Sequence, residues 1–331
     1  MLKYDIMSTK FNLKIGGIKN MESIHKIVDS VNGLLWGKNI LVFMLIGAAI
    51  YFSFKTRFMQ FRLFHKIIKV LFKNEKGKHG VSSLETFFLG TACRVGAGNI
   101  AGVVAAISVG GPGAIFWMWL VAMLGSATAF IESSLAVIYR KTEKDGSYTG
   151  GTPFIIEKRL NMRWLGIIYA LASVVCYFGV TQVMSNSITS SITSVYTWGA
   201  ENKFLNLQNI SSIAVAIMVA YVIFFSSSKK DSIIESLNKI VPFMAIIYVV
   251  AVIYILVTNL TNIPSMIGTI FSQAFGGKEI FGGTFGAVVM NGVRRGLFSN
   301  EAGSGNSNYA AAAVHIDNPS KQGMVQSFGV F

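Results

Sequence analysis

The sequence predicts an all-α protein that crosses a membrane several times, and three observations carry that expectation. Of 331 residues, only 13% are charged, about half of the roughly 25% usual in a soluble domain. The mean hydropathy is +0.54. The apolar residues also gather in stretches of about 20, the length that a helix needs to cross the hydrocarbon core. Together these exclude a disordered chain, a collagen and a disulfide-stapled secreted module. The net charge of +14 reads as the Lys and Arg that collect in cytoplasmic loops, not as a nucleic-acid footprint. The two cysteines, Cys93 and Cys176, lie in apolar stretches with no metal-ligand spacing.

Seven spans are expected. The first runs from Leu34 to Phe54 and is interrupted by Lys38. The second, Glu85 to Val109, ends at the turn Gly110-Gly-Pro-Gly113. The third runs from Ala114 to Tyr139. The fourth lies within 37 uncharged residues, Trp164 to Ala200. The fifth covers Asn209 to Phe225, the sixth Ile240 to Leu260, and the irregular seventh about Phe281 to Val314. Residues 1–37 read as an N-terminal tail, of which 1–20 precede a second plausible start at Met21. Residues 38–331 read as one membrane-spanning domain.

Loop charge sets the orientation. Residues 55–80 hold eight basic residues, among them Lys73, Lys76 and Lys78. Residues 140–163 hold six and residues 229–239 hold three. The loops near 110, 200 and 270 hold none, Lys203 and Lys278. The basic loops are therefore placed in the cytoplasm, and the N-terminus outside. The stretch from Lys66 to Lys78 reads as an amphipathic segment on the inner leaflet. Trp117 and Trp119 read as interfacial anchors.

Two apolar segments carry groups that lipid does not tolerate. One is Gly90-Thr-Ala-Cys-Arg-Val-Gly-Ala-Gly-Asn99, inside the second span. The other is Asn291-Gly-Val-Arg-Arg-Gly-Leu-Phe-Ser-Asn-Glu-Ala-Gly-Ser-Gly-Asn306, in the seventh. Each combines charge, clustered Gly and a Gly-x-Gly-Asn run, and the runs lie 207 residues apart. Glycine eases departure from helical dihedrals. Unwound backbone at membrane depth is tolerated inside protein or facing a watery cavity, where it offers carbonyls to cations and N–H groups to anions. Paired interruptions in two halves of a chain are the sequence pointer to a transport site, here with the second half inverted. Gly102, Gly125 and Gly166 read instead as packing seams.

Enzyme motifs do not fit. Gly96-Ala-Gly-Asn-Ile-Ala-Gly102 lacks the spacing and the βαβ context of a dinucleotide loop. The four histidines, 25, 65, 79 and 315, fall near loops or tails. No resident metal or cofactor and no enzymatic activity are expected.

The runs Gly96-Ala-Gly-Asn-Ile-Ala-Gly-Val103, Gly110-Gly-Pro-Gly-Ala-Ile-Phe-Trp-Met-Trp119, Glu132 with Leu135-Ala and Tyr139-Arg, Arg295-Gly-Leu-Phe-Ser-Asn-Glu-Ala-Gly303, and Gln322-Gly with Gln326 and Gly329-Val-Phe331 resemble the alanine or glycine:cation symporter family. The resemblance extends from about Met21 to Phe331. It implies a leucine-transporter-like inverted repeat of five plus five helices behind one extra helix, with the second span as core helix 1 and the seventh as core helix 6. Family members are longer, so the resemblance implies an incomplete second repeat here. Two local departures are Glu301-Ala-Gly-Ser-Gly-Asn-Ser-Asn308, in place of Glu-Ala-Gly-Met-Gly-Ser-Ala-Pro, and Gly150-Gly-Thr-Pro-Phe154, in place of Gly-Gly-Pro-Met-Tyr-Tyr.

The implied activity is Na⁺-coupled symport of L-alanine, D-alanine or glycine across the plasma membrane by alternating access. A proton-coupled small amino-acid carrier, an ion channel and an inactive fragment stand as alternatives. The expected partners are the amino acid, Na⁺ and membrane lipid, with no nucleic acid.

The amino acid is expected between the two interruptions, at Gly96, Gly98, Asn99, Gln182, Phe298, Ser299, Asn300 and Gly303. Its carboxylate would meet N–H groups near Gly96 and Gly98, and its ammonium carbonyls near Phe298 to Asn300. Phe298 would close the cavity. Gln182 and Asn186, four apart, share a helix face; Gln182 is expected at the cavity and Asn186 between helices. Neutral oxygens suit Na⁺, and Ala92, Val95 and Asn99 would hold it. Glu85, Glu132 and Glu301 are the titratable groups available to a proton instead. Arg94, Arg294, Arg295 and Glu301 are expected to form a paired gating network, since charges at that depth are costly alone.

Overall fold

The computed structural model describes residues 19–72, 83–144, 146–195, 207–228, 230–276, 285–314, 316 and 318–331. The tail lysines before residue 19, the basic residues Lys73, Lys76, Lys78, Lys203 and Lys278, the start of the seventh span at Phe281, and His79 and His315 lie outside the described residues. The chain divides into two compact units, Met1–Met44 and Leu45–Phe331.

In the first unit, α1 (Lys19–Asn32) runs into a π-helical turn, Gly33–Gly37. The segment expected as a tail is therefore helical in its second half. Ile27, Val28 and Val31 of α1 are exposed. Helix α2 (Ile40–Lys55) crosses the division between the units.

The second unit continues with α3 (Met59–Arg62) and α4 (Phe64–Phe72). Helix α4 is amphipathic as expected, but its apolar face does not lie free for lipid. Ile67 is fully buried with Met59 and Met324, while Lys66 and Lys69 stay exposed.

The second span forms as α5 (Ser83–Arg94) and α6 (Ala97–Gly110), separated at Val95-Gly96 and bent by 45°. Helix α7 (Ala114–Ile138) follows after the turn at Gly111, whose φ is +74°. A Cβ on Gly113 would sit 2.5 Å from the backbone of Gln273 and Ala274, so only glycine lets this turn approach the segment near 270.

The third expected loop is structured. A two-residue antiparallel pair, β1 (Lys141–Thr142) with β2 (Tyr148–Thr149), precedes α8 (Thr152–Leu160). Helix α9 (Arg163–Val195) carries the fourth span, α10 (Leu207–Ser228) the fifth and α11 (Lys230–Thr258) the sixth. After a 3₁₀ turn at Leu260–Asn262 comes α12 (Ile263–Ala274), which hydropathy alone did not separate from a loop. The seventh segment is α13 (Phe285–Asn300), a break at residues 301–306, and α14 (Ser307–Ala312). Helix α15 (Pro319–Phe328) ends the chain.

Among the described residues, three helices are long and apolar enough to cross a membrane: Ala114–Ile138, Arg163–Ser194 and Lys239–Thr258. The number rises to five if each of two bent pairs forms one span. The described parts of the seven expected segments are helical outside the breaks, but fewer than seven pass on length and apolarity. The large side chains of α9 and α11, such as Phe178 and Tyr254, point outward, which suits a lipid environment.

The interior belongs to α7, which packs against α13, α14 and α15, while α6 packs on α13 and α5 on α14 and α15. Small residues make this possible. Ala127, Ala129 and Ala136 of α7 are fully buried. A Cβ on Gly125 would meet Ala302 Cβ at 3.0 Å and Asn300 Nδ2 at 3.1 Å, and Gly166 lies against the Pro153 carbonyl. Both are the packing seams expected. Gly102 meets only the Arg295 stem, at 3.9 Å.

Candidate substrate site at two helix breaks

The first break is short and bare. Val95 N–H still reaches the Thr91 carbonyl at 2.7 Å, and the ladder resumes where Asn99 N–H reaches Gly96 O at 3.0 Å. Gly96 is the N-cap of α6 with an extended backbone, and no side chain caps the helix. The first-turn N–H groups of a helix have no intrahelical partner, and the helix dipole makes that end favourable for negative charge. A Cβ on Gly96 would strike the thioether end of Met184 on α9. Ala92 and Asn99 are half-buried beside this break, and Val95 is exposed.

The second break is longer and tightly held. Glu301, Gly303 and Gly305 have φ of +51°, +89° and +78°, an alternation that no right-handed helix permits. The Gly303 N–H donates to Glu132 Oε1 of α7 at 3.3 Å. Gly305 N–H and the Ser307 hydroxyl lie toward the same carboxylate. From α9, the Tyr169 hydroxyl donates to Ser304 O at 2.8 Å and the Tyr177 hydroxyl to Asn306 Oδ1 at 3.3 Å. From α8, Thr152 Oγ1 donates to Gly305 O at 3.4 Å and accepts from Asn308 Nδ2 at 3.0 Å. Tyr309 reaches Ser173 at 3.3 Å.

The expected residues are distributed unequally. Asn300 is buried, but its side chain accepts from Ala302 N–H at 2.9 Å and lies 3.5 Å from the Val121 carbonyl. Its amide therefore ends α13 and ties it to α7. Ser299 is half-buried, and Phe298 is 54% exposed rather than folded over a cavity. Gln182 and Asn186 are both exposed. The face of α9 that meets the two breaks is instead the stripe Tyr169, Ser173, Tyr177 and Met184, of which Tyr177 stays 41% exposed. Its first three members are four apart, a spacing visible in the sequence but outranked there by amide chemistry.

The charged network also differs from expectation. Arg94 is 5% exposed and donates from Nη1 to Gln326 Oε1 of α15 at 3.0 Å. Gln326 Nε2 in turn donates to Thr86 O at 3.1 Å. Glu301 is half-buried, with Asn306 Nδ2 at 3.5 Å from its carboxylate. Arg294 and Arg295 are half-buried. Arg94 and Arg295 make no ion pair with Glu301. Glu132 closes on the second break through the Gly303 N–H. Trp117 donates its indole N–H to the Ala274 carbonyl at 3.0 Å and packs with Phe116 and Phe275, so it latches α12 rather than anchoring to lipid. Trp119 is exposed.

These geometries have a family. Residues 21–331 match the sodium:alanine symporter family. The chain belongs to it. Similar proteins include the amino-acid carrier protein AlsT of Bacillus subtilis, 38% identical over 94% of this chain and 64% of its own length. The sodium/alanine symporter AgcS of Methanococcus maripaludis is 36% identical over 92% of this chain and 66% of its own length. The chain spans from 60% to 67% of the length of the curated relatives it matches. The family is one of membrane transporters that couple amino-acid movement to a cation, which fits a chain of apolar helices with two breaks.

Proposed function

We propose that this protein is a Na⁺-coupled symporter of a small neutral amino acid, alanine or glycine, working by alternating access in the plasma membrane. The observation that carries this is the crosswise packing of the two broken helices. The first half of one, α5, lies on the second half of the other, α14, and α6 lies on α13. That antiparallel pairing supports a leucine-transporter-like inverted repeat, with α5–α6 as its first core helix and α13–α14 as its sixth.

The uncapped N-terminus of α6 is the anion site in this reading. The N–H groups near Gly96 and Gly98 take the substrate carboxylate, and Asn99 borders it. The carbonyls near Phe298, Ser299 and Asn300, with the Gly303 turn, take the ammonium. Na⁺ rests against the carbonyls of Ala92 and Val95 and the Asn99 side chain, an all-oxygen set that suits a hard cation. Gln182 is the least supported member, because its helix face is exposed.

Labelled alanine uptake into proteoliposomes tests the reading. Uptake is expected to rise with an inward Na⁺ gradient, to saturate, and to vanish in Gly98→Leu while that variant still inserts. Unchanged uptake in Gly98→Leu, or non-saturating flux without Na⁺ dependence, overturns it. Coupling to protons is a second reading, favoured by the carboxylate of Glu132 at the second break. A proton gradient driving uptake without Na⁺ selects it.

A further inference from the structure

We propose that the corner joining α2 to α4 is a docking surface for anionic phospholipid, with its basic side chains on the headgroups and its phenylalanines in the acyl layer beside them.

The corner is built to face outward. Arg57 and Phe58 have φ of +54° and +52°, a left-handed conformation that bulky residues adopt only where their surroundings impose it. Here the imposing contacts come from inside. Phe58 N–H donates to Ser53 O at 2.7 Å. Gln60 Nε2 donates to Ser53 Oγ at 3.1 Å, and both side chains are buried. The chain therefore turns about Ser53 and leaves Phe54, Phe58 and Phe61 exposed. Phe54 and Phe58 meet edge to face, with ring centroids 5.0 Å apart.

Basic residues alternate with these rings. Lys55, Arg57, Arg62, Lys66 and Lys69 are all exposed, and no Asp or Glu occurs from Tyr51 to Phe72. Among the described residues, none of the five pairs with a carboxylate. Another helix laid on this surface would cover the rings but also bury the unpaired cations, which is costly. Water suits the cations and not the rings. A bilayer surface takes both, because aromatic rings settle at headgroup depth and basic side chains above them are drawn to anionic lipid.

The apolar face of α4 is what holds the surface in place. Ile67 is buried with Met59 and Met324. Phe64 packs on Phe328 and Phe331, with centroids 6.3 Å apart in each case. Lipid at the corner thus fastens α4 onto α15, the helix whose Gln326 holds Arg94. A ligand of the folded state raises its stability, so occupancy can be read from unfolding, independently of transport.

The test is thermal unfolding of the full chain in a neutral detergent, titrated with phosphatidylglycerol. A saturable rise in unfolding temperature is expected, with no rise from phosphatidylcholine. The half-saturating concentration is expected to increase about fivefold in each of Arg57→Gln, Arg62→Gln and Lys66→Gln, and to increase also in Phe61→Ser. Because these side chains are exposed, the lipid-free unfolding temperature should stay at the parent value. A control that replaces Lys141, Lys144, Arg163 and Lys239 by Gln, all exposed on other segments, is expected to keep the parent midpoint. Soluble glycerol phosphate carries the headgroup's charge without an acyl chain, and is expected to give no rise.

An equal rise with phosphatidylcholine, parent-like midpoints in the corner variants, or an equal loss in the control overturns the proposal. A rise with glycerol phosphate overturns it in favour of a free-phosphate site. If one corner variant fails to fold, the other single variants decide the outcome.

Discussion

The two helix breaks solve one problem in opposite ways. At residues 95–96 the helix bends over two residues and leaves its N–H groups uncapped. At residues 301–306 it needs three positive φ angles, and Glu132, Thr152, Tyr169 and Tyr177 hold the result from three other helices. The first break keeps its polar backbone available. The second spends most of its polar backbone on the protein. In the proposed reading the first break meets the ligand directly, while the second can rearrange around it only as its protein partners let go. An available group binds, whereas a satisfied group moves only when its partners let go.

The sharpest way to break the comparison is at the bare side. Gly96→Val drives a branched side chain into Met184 and obstructs the helix N-terminus. Alanine uptake is expected to fall by at least about 100-fold, the scale set by misplacing a bound group by 1 Å, while the protein still inserts. Next is Glu132→Ala, which removes the acceptor of the second break. Leaving the buried Gly305 N–H unpaired costs about 1–3 kcal/mol, so thermal unfolding is expected at lower temperature, with uptake reduced as well.

A smaller effect is expected for Tyr169→Phe, which deletes the donor to Ser304 O. One hydrogen bond contributes about 1 kcal/mol, so unfolding should shift by a few degrees with uptake largely kept. The smallest concerns Lys239 and Glu235, paired at 2.8 Å on the exposed start of α11. The Lys239 hydrogen bond holds the Glu235 carboxyl below its ordinary value. Its contribution is therefore present above the ordinary carboxylate range and lost as pH falls through the lowered one. Because the pair is solvated, acidification or Lys239→Ala should leave the unfolding temperature unchanged within error. A clear shift would mean that α11 is buried there by something else.

The helices and both interruptions were legible because lipid imposes a length rule and punishes charge at depth, so Arg94, Glu301 and their glycines stood out. Packing seams were legible where a lone glycine stood in an apolar run without charge beside it, as at Gly125 and Gly166. What stayed hidden was pairing. Gln326 lies 232 residues from Arg94, and no local pattern joins them. Trp117 looked like an interfacial anchor because α12 was invisible to a test that asks only for spanning length. The tyrosine stripe of α9 was passed over because Gln182 and Asn186 carry stronger hydrogen-bonding chemistry, and orientation about a helix axis is not set by chemistry alone when most of the helix is apolar.

The separation of Arg94 from Gln326 also has a meaning in time. At roughly 5–20 residues per second of synthesis, the glutamine emerges about 10 to 50 seconds after the arginine. Over that interval the α5 segment carries a cation at membrane depth without its eventual neighbour. The first broken helix is thus made early, and its bond to Gln326 can form only after α15 has been made.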